Sequence, residues 1–422
     1  MITVLCVALG VLLVLAAMLD IVATVLHPEF ESALSSRFQQ SIWWLLRRIS
    51  HALPDSLHGL SLLSWGVPLM VAGLVALWIV LLITGFALIY WPWIGNPAMF
   101  SSDTAITADF GSALYFSGVT MGTLGYGDIQ PIAPLIRVLA VTESLLGLVT
   151  ISFTVSYVLS IYPTLAHQRE IATALDAEVA GQASAMPMLR RYLSHDSRWA
   201  DALTERLRDL ALELLALTES HEQHAILYYA HPRRVQHSLL RILVIARSLV
   251  GTLRYTLSPE RHQEIVHHPH LILLEQSLHY SLSRFSASLH IPTPEKTSDQ
   301  NSHSVLADDF EQQRVLLEQI GLSTIDAYGE RAVPVLVENR IERTSPDLPH
   351  PEPDTGNSVS SNGKQIDPAT ELSSNSALDA YITFREQVDP HIAAYARISG
   401  YTLDDAMIDA PTTWWVGDNR GM

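Results

Sequence analysis

Three stretches of this chain stay apolar for longer than a soluble fold requires: Ile2 to Leu26, Val67 to Ile94 and Leu135 to Tyr162. A bilayer core of ~30 Å is crossed by ~20 helical residues, so each stretch predicts a transmembrane helix. The third is expected to project beyond the membrane and to stop at Pro163. Between the second and third stretches lie about forty residues, in whose middle Phe110 to Met121 predicts a short apolar helix with Asp109 as its N-cap. The first connection contains QSIWWLLRRISHAL, where Ile42, Trp43, Leu45, Leu46, Ile49 and Leu53 recur at helical spacing beside Arg47 and Arg48. That pattern predicts a helix lying in the membrane interface, or alternatively one packed on the C-terminal part of the chain.

Beyond Pro163 the pattern changes. LTERLRDLALELLAL and LILLEQSLHYSLSRF place apolar residues three and four apart among charges, as amphipathic helices of a water-exposed domain do. Residues 344–376 hold five Pro and ten Ser or Thr and no aromatic residue, the composition of a disordered linker. LDAYITFREQVDPHIAAYARI then reads as a helix able to dock back on the domain, and the closing TTWWVGD as an apolar tip without assignable chemistry. The expected fold is an all-α membrane protein: three transmembrane helices, a re-entrant short helix and loop, and a cytoplasmic helical domain. Its divisions are a first transmembrane helix at 1–28, a cytoplasmic connection with an interfacial helix at 29–66, and a central membrane domain at 67–163. A helical domain at 164–343, a linker at 344–376 and a C-terminal helical segment at 377–422 follow.

Composition agrees, with 48% hydrophobic and only 16% charged residues. The net charge of -17 is uneven, since residues 1–163 hold four Arg and eight acidic residues and the remainder carries the acidic excess. An acidic surface argues against nucleic acid as a partner. The first apolar run lacks a basic leader and exceeds a usual signal core, so it is expected to be retained as a helix. Arg37, Arg47 and Arg48 lie in the first connection, and no Lys or Arg occurs from Ile49 to Ile136. Basic residues favour the cytoplasmic side. The expected location is therefore the cell membrane, multi-pass, with the N-terminus outside and the C-terminus in the cytoplasm. Cys6 stands alone and offers no disulfide or metal spacing.

The chemistry concentrates in SALYFSGVTMGTLGYGDIQP. Irregular backbone at membrane depth is tolerated only where it is enclosed in protein or lines a watered path. Thr123, Leu124, Gly125, Tyr126, Gly127 and Asp128 make sense if successive carbonyls point to one axis and replace the water around a bare cation. Such carbonyls require backbone of alternating handedness, and left-handed conformations cost ~1–2 kcal/mol outside glycine. Gly125 and Gly127 meet that need. Thr123 adds its hydroxyl to the innermost oxygen ring, while Leu124 and Tyr126 turn outward as braces.

These residues resemble the selectivity filter of the pore-loop potassium channels, whose pattern is Thr-Val-Gly-Tyr-Gly-Asp. The resemblance covers roughly Val67 to Tyr162. It implies a potassium-selective channel with K+ held at Thr123, Leu124, Gly125 and Tyr126, four chains around one axis, the lipid bilayer as surroundings, and no cofactor beyond the permeant ion. It also implies that Tyr115 and Phe116 support the filter from the pore helix, that Arg137 opens the inner helix, and that Gly147, twenty residues after Gly127, is a gating hinge. Leu124 stands in place of the usual Val, and Gly122 in place of the usual Thr or Ser; both alter packing behind the loop.

Asp103, Asp109 and Asp128 would concentrate cations at the outer mouth, or Asp128 would serve as a hydrogen-bond partner behind the filter. Glu143, four residues before Gly147, is a cavity candidate, or alternatively a side chain that is protonated or paired with a neighbouring helix. Gly147 alternatively permits close packing. Counting onward in fours suggests Ile151 and Val155 for the cavity wall. Asp20, near the end of the first span, is expected to reach the interface by its own length.

No span carries a series of basic residues, so little voltage dependence is expected. Arg241, Arg247 and Arg254 read as the polar edge of a buried soluble helix. No phosphate-binding glycine motif follows Pro163, and no catalytic constellation marks an enzyme. The histidines at 221, 224, 231, 262, 267, 268 and 270 lack a metal-site spacing and read as ordinary surface residues, with pH sensing as the alternative. The gating ligand is not named by any motif. The alternatives are a weakly selective cation channel and a non-conducting membrane-tethered signalling adaptor.

Overall fold

A computed structural model of the chain describes residues 1–26, 33–52, 62–102, 107–193, 198–290, 300–325, 377–401 and 407. The protein is an all-α membrane protein. Among the described residues three helices are long and apolar enough to cross a membrane: Ile2–Val25, Leu62–Tyr90 and Pro134–Glu178. Leu53, Asp103, the 344–376 linker and TTWWVGD lie outside the described residues.

Helix α1 (Ile2–Leu26) packs along α3 (Gly66–Tyr90). Gly10 and Gly85 set that approach, for a Cβ at Gly10 would stand 2.5 Å from the Gly85 carbonyl oxygen. Asp20 does not reach outward as expected. It is buried, and Oδ2 accepts from the Trp78 indole N–H at 2.6 Å and the Ser35 hydroxyl at 2.5 Å, while Oδ1 accepts the Ser35 backbone N–H at 3.2 Å. One carboxyl on α1 thereby ties α3 to the first turn of α2 (Ala33–Ala52). A polar group within apolar surroundings is kept by such partners.

Helix α2 packs one face on the chain, where Trp43 reaches Ile398 and Tyr229, and leaves its other face open. Trp43 and Leu46 are buried, whereas Trp44, Leu45 and Ile49 stand exposed, with the Arg48 guanidinium 5.3 Å above the Trp44 ring.

After α3 come strand β1 (Phe100–Ser102), helix α4 (Phe110–Met121) and strand β2 (Ile129–Pro131). The two strands pair antiparallel, with Ser101 opposite Gln130, and bracket the intervening helix and loop. Helix α5 (Pro134–Glu178) then runs unbroken for 45 residues, ~68 Å at 1.5 Å per residue. Pro163 does not end it. Proline removes one N–H from the ladder, and neighbouring hydroxyls add bonds there: Ser160 donates to the Tyr157 carbonyl at 2.8 Å and Thr164 to that of Ser160 at 3.2 Å.

The far end of α5 enters a second core, where Ile171, Ala172 and Leu175 pack with α6 (Met186–Leu193), α7 (Arg198–Gln223), α8 (Leu239–Val250), α10 (Pro269–Ser288), α11 (Gln300–Gln319) and α12 (Ala377–Ser399). A short α9 (Gln263–Val266) completes the set, and a π-helical turn (Gly251–Thr256) extends α8.

The three arginines of this stretch are not an edge. Arg241 is fully enclosed and bonds Asp176 at 3.0 Å and the Gly181 carbonyl at 2.7 Å; Arg247 pairs with Asp389 at 3.0 Å, and Arg254 with Glu275 at 3.2 Å. Segments distant in sequence cover the face that local spacing left polar. His221 is likewise interior, its Nδ1 2.7 Å from the Leu217 carbonyl.

The two cores meet beneath α3. Ile226 and Leu227 belong to the membrane-side cluster, the Tyr229 ring lies 5.6 Å from that of Trp43, and Trp43 donates its indole N–H to Ile398 at the end of α12 at 2.8 Å. His231 stacks on Tyr401 with ring centres 4.0 Å apart.

Candidate functional site: the loop between the second and third spans

Helix α4 begins where Asp109 Oδ1 accepts the Ser112 backbone N–H at 2.7 Å. That bond holds the Asp109 carboxyl below its ordinary range. At 12 residues the helix spans ~18 Å, too little to cross a bilayer. It ends at Gly122, whose N–H returns to the Gly118 carbonyl at 2.9 Å.

The backbone then alternates. Thr123, Gly125 and Gly127 have φ of 55°, 57° and 81°, with Leu124 and Tyr126 between them outside the left-handed region. The two glycines were legible in the sequence and the threonine was not. A β-branched residue at positive φ is strained by ~1–2 kcal/mol, and such strain is characteristic of functional backbone. A Cβ on Gly125 would meet nothing within 4 Å, and one on Gly127 only the Gln130 amide at 3.8 Å. Glycine is demanded here by conformation and not by space.

The carbonyls of Thr123, Leu124, Gly125 and Tyr126 receive no hydrogen bond from the described residues. The Gly127 carbonyl differs, accepting Gln130 Nε2 at 2.8 Å. Gln130 was not singled out from sequence; its position on the strand beside the loop is what brings it within reach. Asp128 accepts the Tyr115 hydroxyl at 2.8 Å, and Arg137 Nε donates to the Pro131 carbonyl at 3.0 Å. The side chains of Leu124 and Tyr126 stand exposed on this chain.

Tyr115 and Phe116, neighbours in sequence, part company. Tyr115 faces the loop through Asp128, whereas Phe116 is buried the other way, edge-on to Tyr90 at 5.1 Å and Phe100 at 5.2 Å. Consecutive helical residues point about 100° apart, so within one chain the two side chains face different neighbours.

Glu143 takes the second of its two expected places, paired with neighbouring helices and away from a cavity. It is completely buried, with Oε2 2.9 Å from the Tyr90 hydroxyl and Oε1 hydrogen-bonded to Ser117 of α4. Gly147 is buried beside it: a Cβ there would stand 2.5 Å from the Met121 carbonyl oxygen and 2.9 Å from its sulfur. Ile151 and Val155 are exposed. Each step of four residues drifts about 40° around a helix of 3.6 residues per turn. From Glu143 to Val155 the drift reaches about 120°, enough to carry the row from the α4 contact to an open face.

Residues 74–162 match the family described as Ion channel, a span enclosing most of α3, α4, the TLGYGD loop and the first part of α5. Over 258 residues, 60% of this chain and 71% of the relative, the sequence is 28% identical to a protein of Bacillus subtilis (strain 168) named Uncharacterized membrane protein YdjJ. No solved structure matches the chain.

Proposed function

We propose that this chain, an ion-channel family protein through residues 74–162, passes potassium ions down their gradient through a pore built by four copies. The observation that carries the reading is the alternation at Thr123, Gly125 and Gly127, beside four carbonyls that receive no hydrogen bond from the described residues. Oxygen rings of this kind replace the hydration shell of a cation. One chain contributes one strand of such a ring, and a closed ring requires rotational symmetry among copies.

In this reading the carbonyls of Thr123, Leu124, Gly125 and Tyr126, with the Thr123 hydroxyl, hold K+. Leu124 and Tyr126 meet a neighbouring chain, Ile151 and Val155 line the path below, and α5 moves about Gly147. The C-terminal end of α4 aims its partial negative charge at the cavity, which favours a cation there. Arg37, Arg47 and Arg48 set the first connection on the cytoplasmic side, together with the large helical region that continues α5. That region gates or assembles the pore.

The test is potassium efflux from liposomes carrying the purified full chain under an outward gradient. The wild type should release K+, and Gly127→Ala should assemble normally yet release none, because the added Cβ disfavours left-handed backbone by ~1–2 kcal/mol in each copy. Equal efflux from the two would remove TLGYGD from the conduction path. Absence of efflux from correctly assembled wild type would favour the membrane-tethered adaptor.

A further inference from the structure

Ser117 carries one hydroxyl proton and has two close oxygen neighbours. Its Oγ lies 2.9 Å from the Ile83 backbone carbonyl of α3 and hydrogen-bonds Glu143 Oε1 of α5. A carbonyl cannot donate, and a hydroxyl donates once. Both contacts are hydrogen bonds only if the second proton comes from Glu143. The bonds then form a directed chain: the Tyr90 hydroxyl donates to Glu143 Oε2 at 2.9 Å, Glu143 Oε1–H donates to Ser117 Oγ, and Ser117 donates to Ile83. Three protons serve three acceptors. With a bare carboxylate, the Ser117 and Ile83 oxygens would face each other without a proton between them if Ser117 turned to Glu143.

We propose that Glu143 is a positioning residue, acting as a hydrogen-bond donor to Ser117 that locks helix α4, and through it the TLGYGD loop, between α3 and α5. It rests on the channel reading above for its effect on ions, though not for its chemistry. The placement is suited to the task. Glu143 and Gly147 on α5 face Ser117 and Met121 on α4, so two contacts spaced four residues apart on both helices fix the register between them. Met121 is two residues from Thr123, where the strained backbone begins. A shift of α4 therefore passes directly into the loop. Glu143 is completely buried in the span and does not touch the proposed ion path.

Two readouts test this, one independent of conduction. In an infrared difference spectrum of wild type against Glu143→Gln at neutral pH, wild type should show the carbonyl stretch of one protonated carboxylic acid. No such band would overturn the donor assignment whether or not the protein conducts. In liposomes, Glu143→Gln retains a donor and an acceptor and should keep potassium flux within about twofold. Glu143→Leu, similar in bulk without either, should lose at least tenfold in flux or admit sodium, and Ser117→Ala should change in the same direction. Because Glu143→Leu could fail to assemble, hydrogen exchange of residues 110–121 in the milder Ser117→Ala supplies the decision. Faster exchange of α4 supports the lock, and wild-type protection with wild-type flux overturns it. Failure of Glu143→Gln alongside success of wild type would also overturn it, since a carboxylate would then be required. Absence of wild-type flux would instead strike the channel reading.

Discussion

Around α8 three buried arginines are held by carboxylates from other segments: Arg241 by Asp176, Arg247 by Asp389, Arg254 by Glu275. Along the first part of α5 the reverse holds, for Leu135, Val138, Val141, Leu145, Leu148, Ile151, Val155 and Leu159 stand on the surface, and the adjoining loop exposes Leu124, Tyr126 and four carbonyls. Both regions belong to one helix-rich chain, and α5 runs through both. The helical region pairs its buried arginines from within a single chain. The span-and-loop region is completed from outside, by lipid on α1, and in the proposed assembly by other copies and by ions. Apolar surface means incompleteness in water and fitness in a membrane.

Substitutions should therefore act differently on the two regions. The largest effect is expected at Gly147→Ala. The new Cβ would collide with the Met121 backbone carbonyl, which has no rotamer by which to yield. Ion flux should fall by at least tenfold, while the melting of the helical region measured by exchange of α7 and α10 stays as in wild type. A normal flux would mean that α4 and α5 separate freely here, against the close approach.

Next comes Arg241→Ala, in the self-completed region. It leaves the Asp176 carboxylate and the Gly181 carbonyl enclosed without their donor, a loss of about 3–5 kcal/mol. Chemical denaturation should show the deficit in α7, α8 and the end of α5, with the loop's exchange little changed. A uniform loss across both regions would show that they unfold as one unit.

Acidification should separate the regions a third way. Burial pushes the His221 imidazole down to about 4. The folded state thus binds its proton less readily than the unfolded chain, whose histidine titrates near 6.5. The stabilisation is complete above pH 6.5 and is lost as pH falls toward 4, by up to about 3 kcal/mol. Residues 62–162 contain no histidine. Limited proteolysis at pH 7.5 and 4.5 should find the helical region opening first, and His221→Phe, which keeps the ring, should flatten the pH dependence. An unchanged slope would remove His221 as a cause.

The smallest effect lies at the junction. Trp43→Phe keeps the aromatic contact with Tyr229 but removes the N–H that reaches Ile398, a net loss of about 1 kcal/mol. Hydrogen exchange near residues 396–401 should rise while both cores hold.

How much of this was legible in sequence depended on whether the signal was local. The three spans were legible because apolar length alone marks a bilayer crossing, and Gly125 and Gly127 because glycine advertises left-handed backbone. Thr123 gave no such notice, since β-branched residues normally avoid that region. The end of α5 was misplaced because proline reads as a stop, whereas a long helix with flanking hydroxyls continues through Pro163. Asp20 and Glu143 were visible as anomalies within apolar runs, yet spans that are apolar all round have no periodicity to show which neighbour each faces. Their partners Trp78, Ser35, Tyr90 and Ser117 emerge only from packing. The enclosure of Arg241 and Arg247 beyond a helix edge was illegible for the converse reason: Asp176 and Asp389 arrive from 65 and 142 residues away.

Whether the alternating TLGYGD backbone makes the proposed potassium-preferring path is decided by the zero-current potential of the purified full chain in a planar bilayer with K+ on one side and Na+ on the other. A potassium-preferring path should give a large potential of the sign set by K+ leaving its compartment, and a collapse toward zero in Tyr126→Asp, where water and sodium enter beside the loosened carbonyls. A wild-type potential near zero, with current flowing, would contradict it.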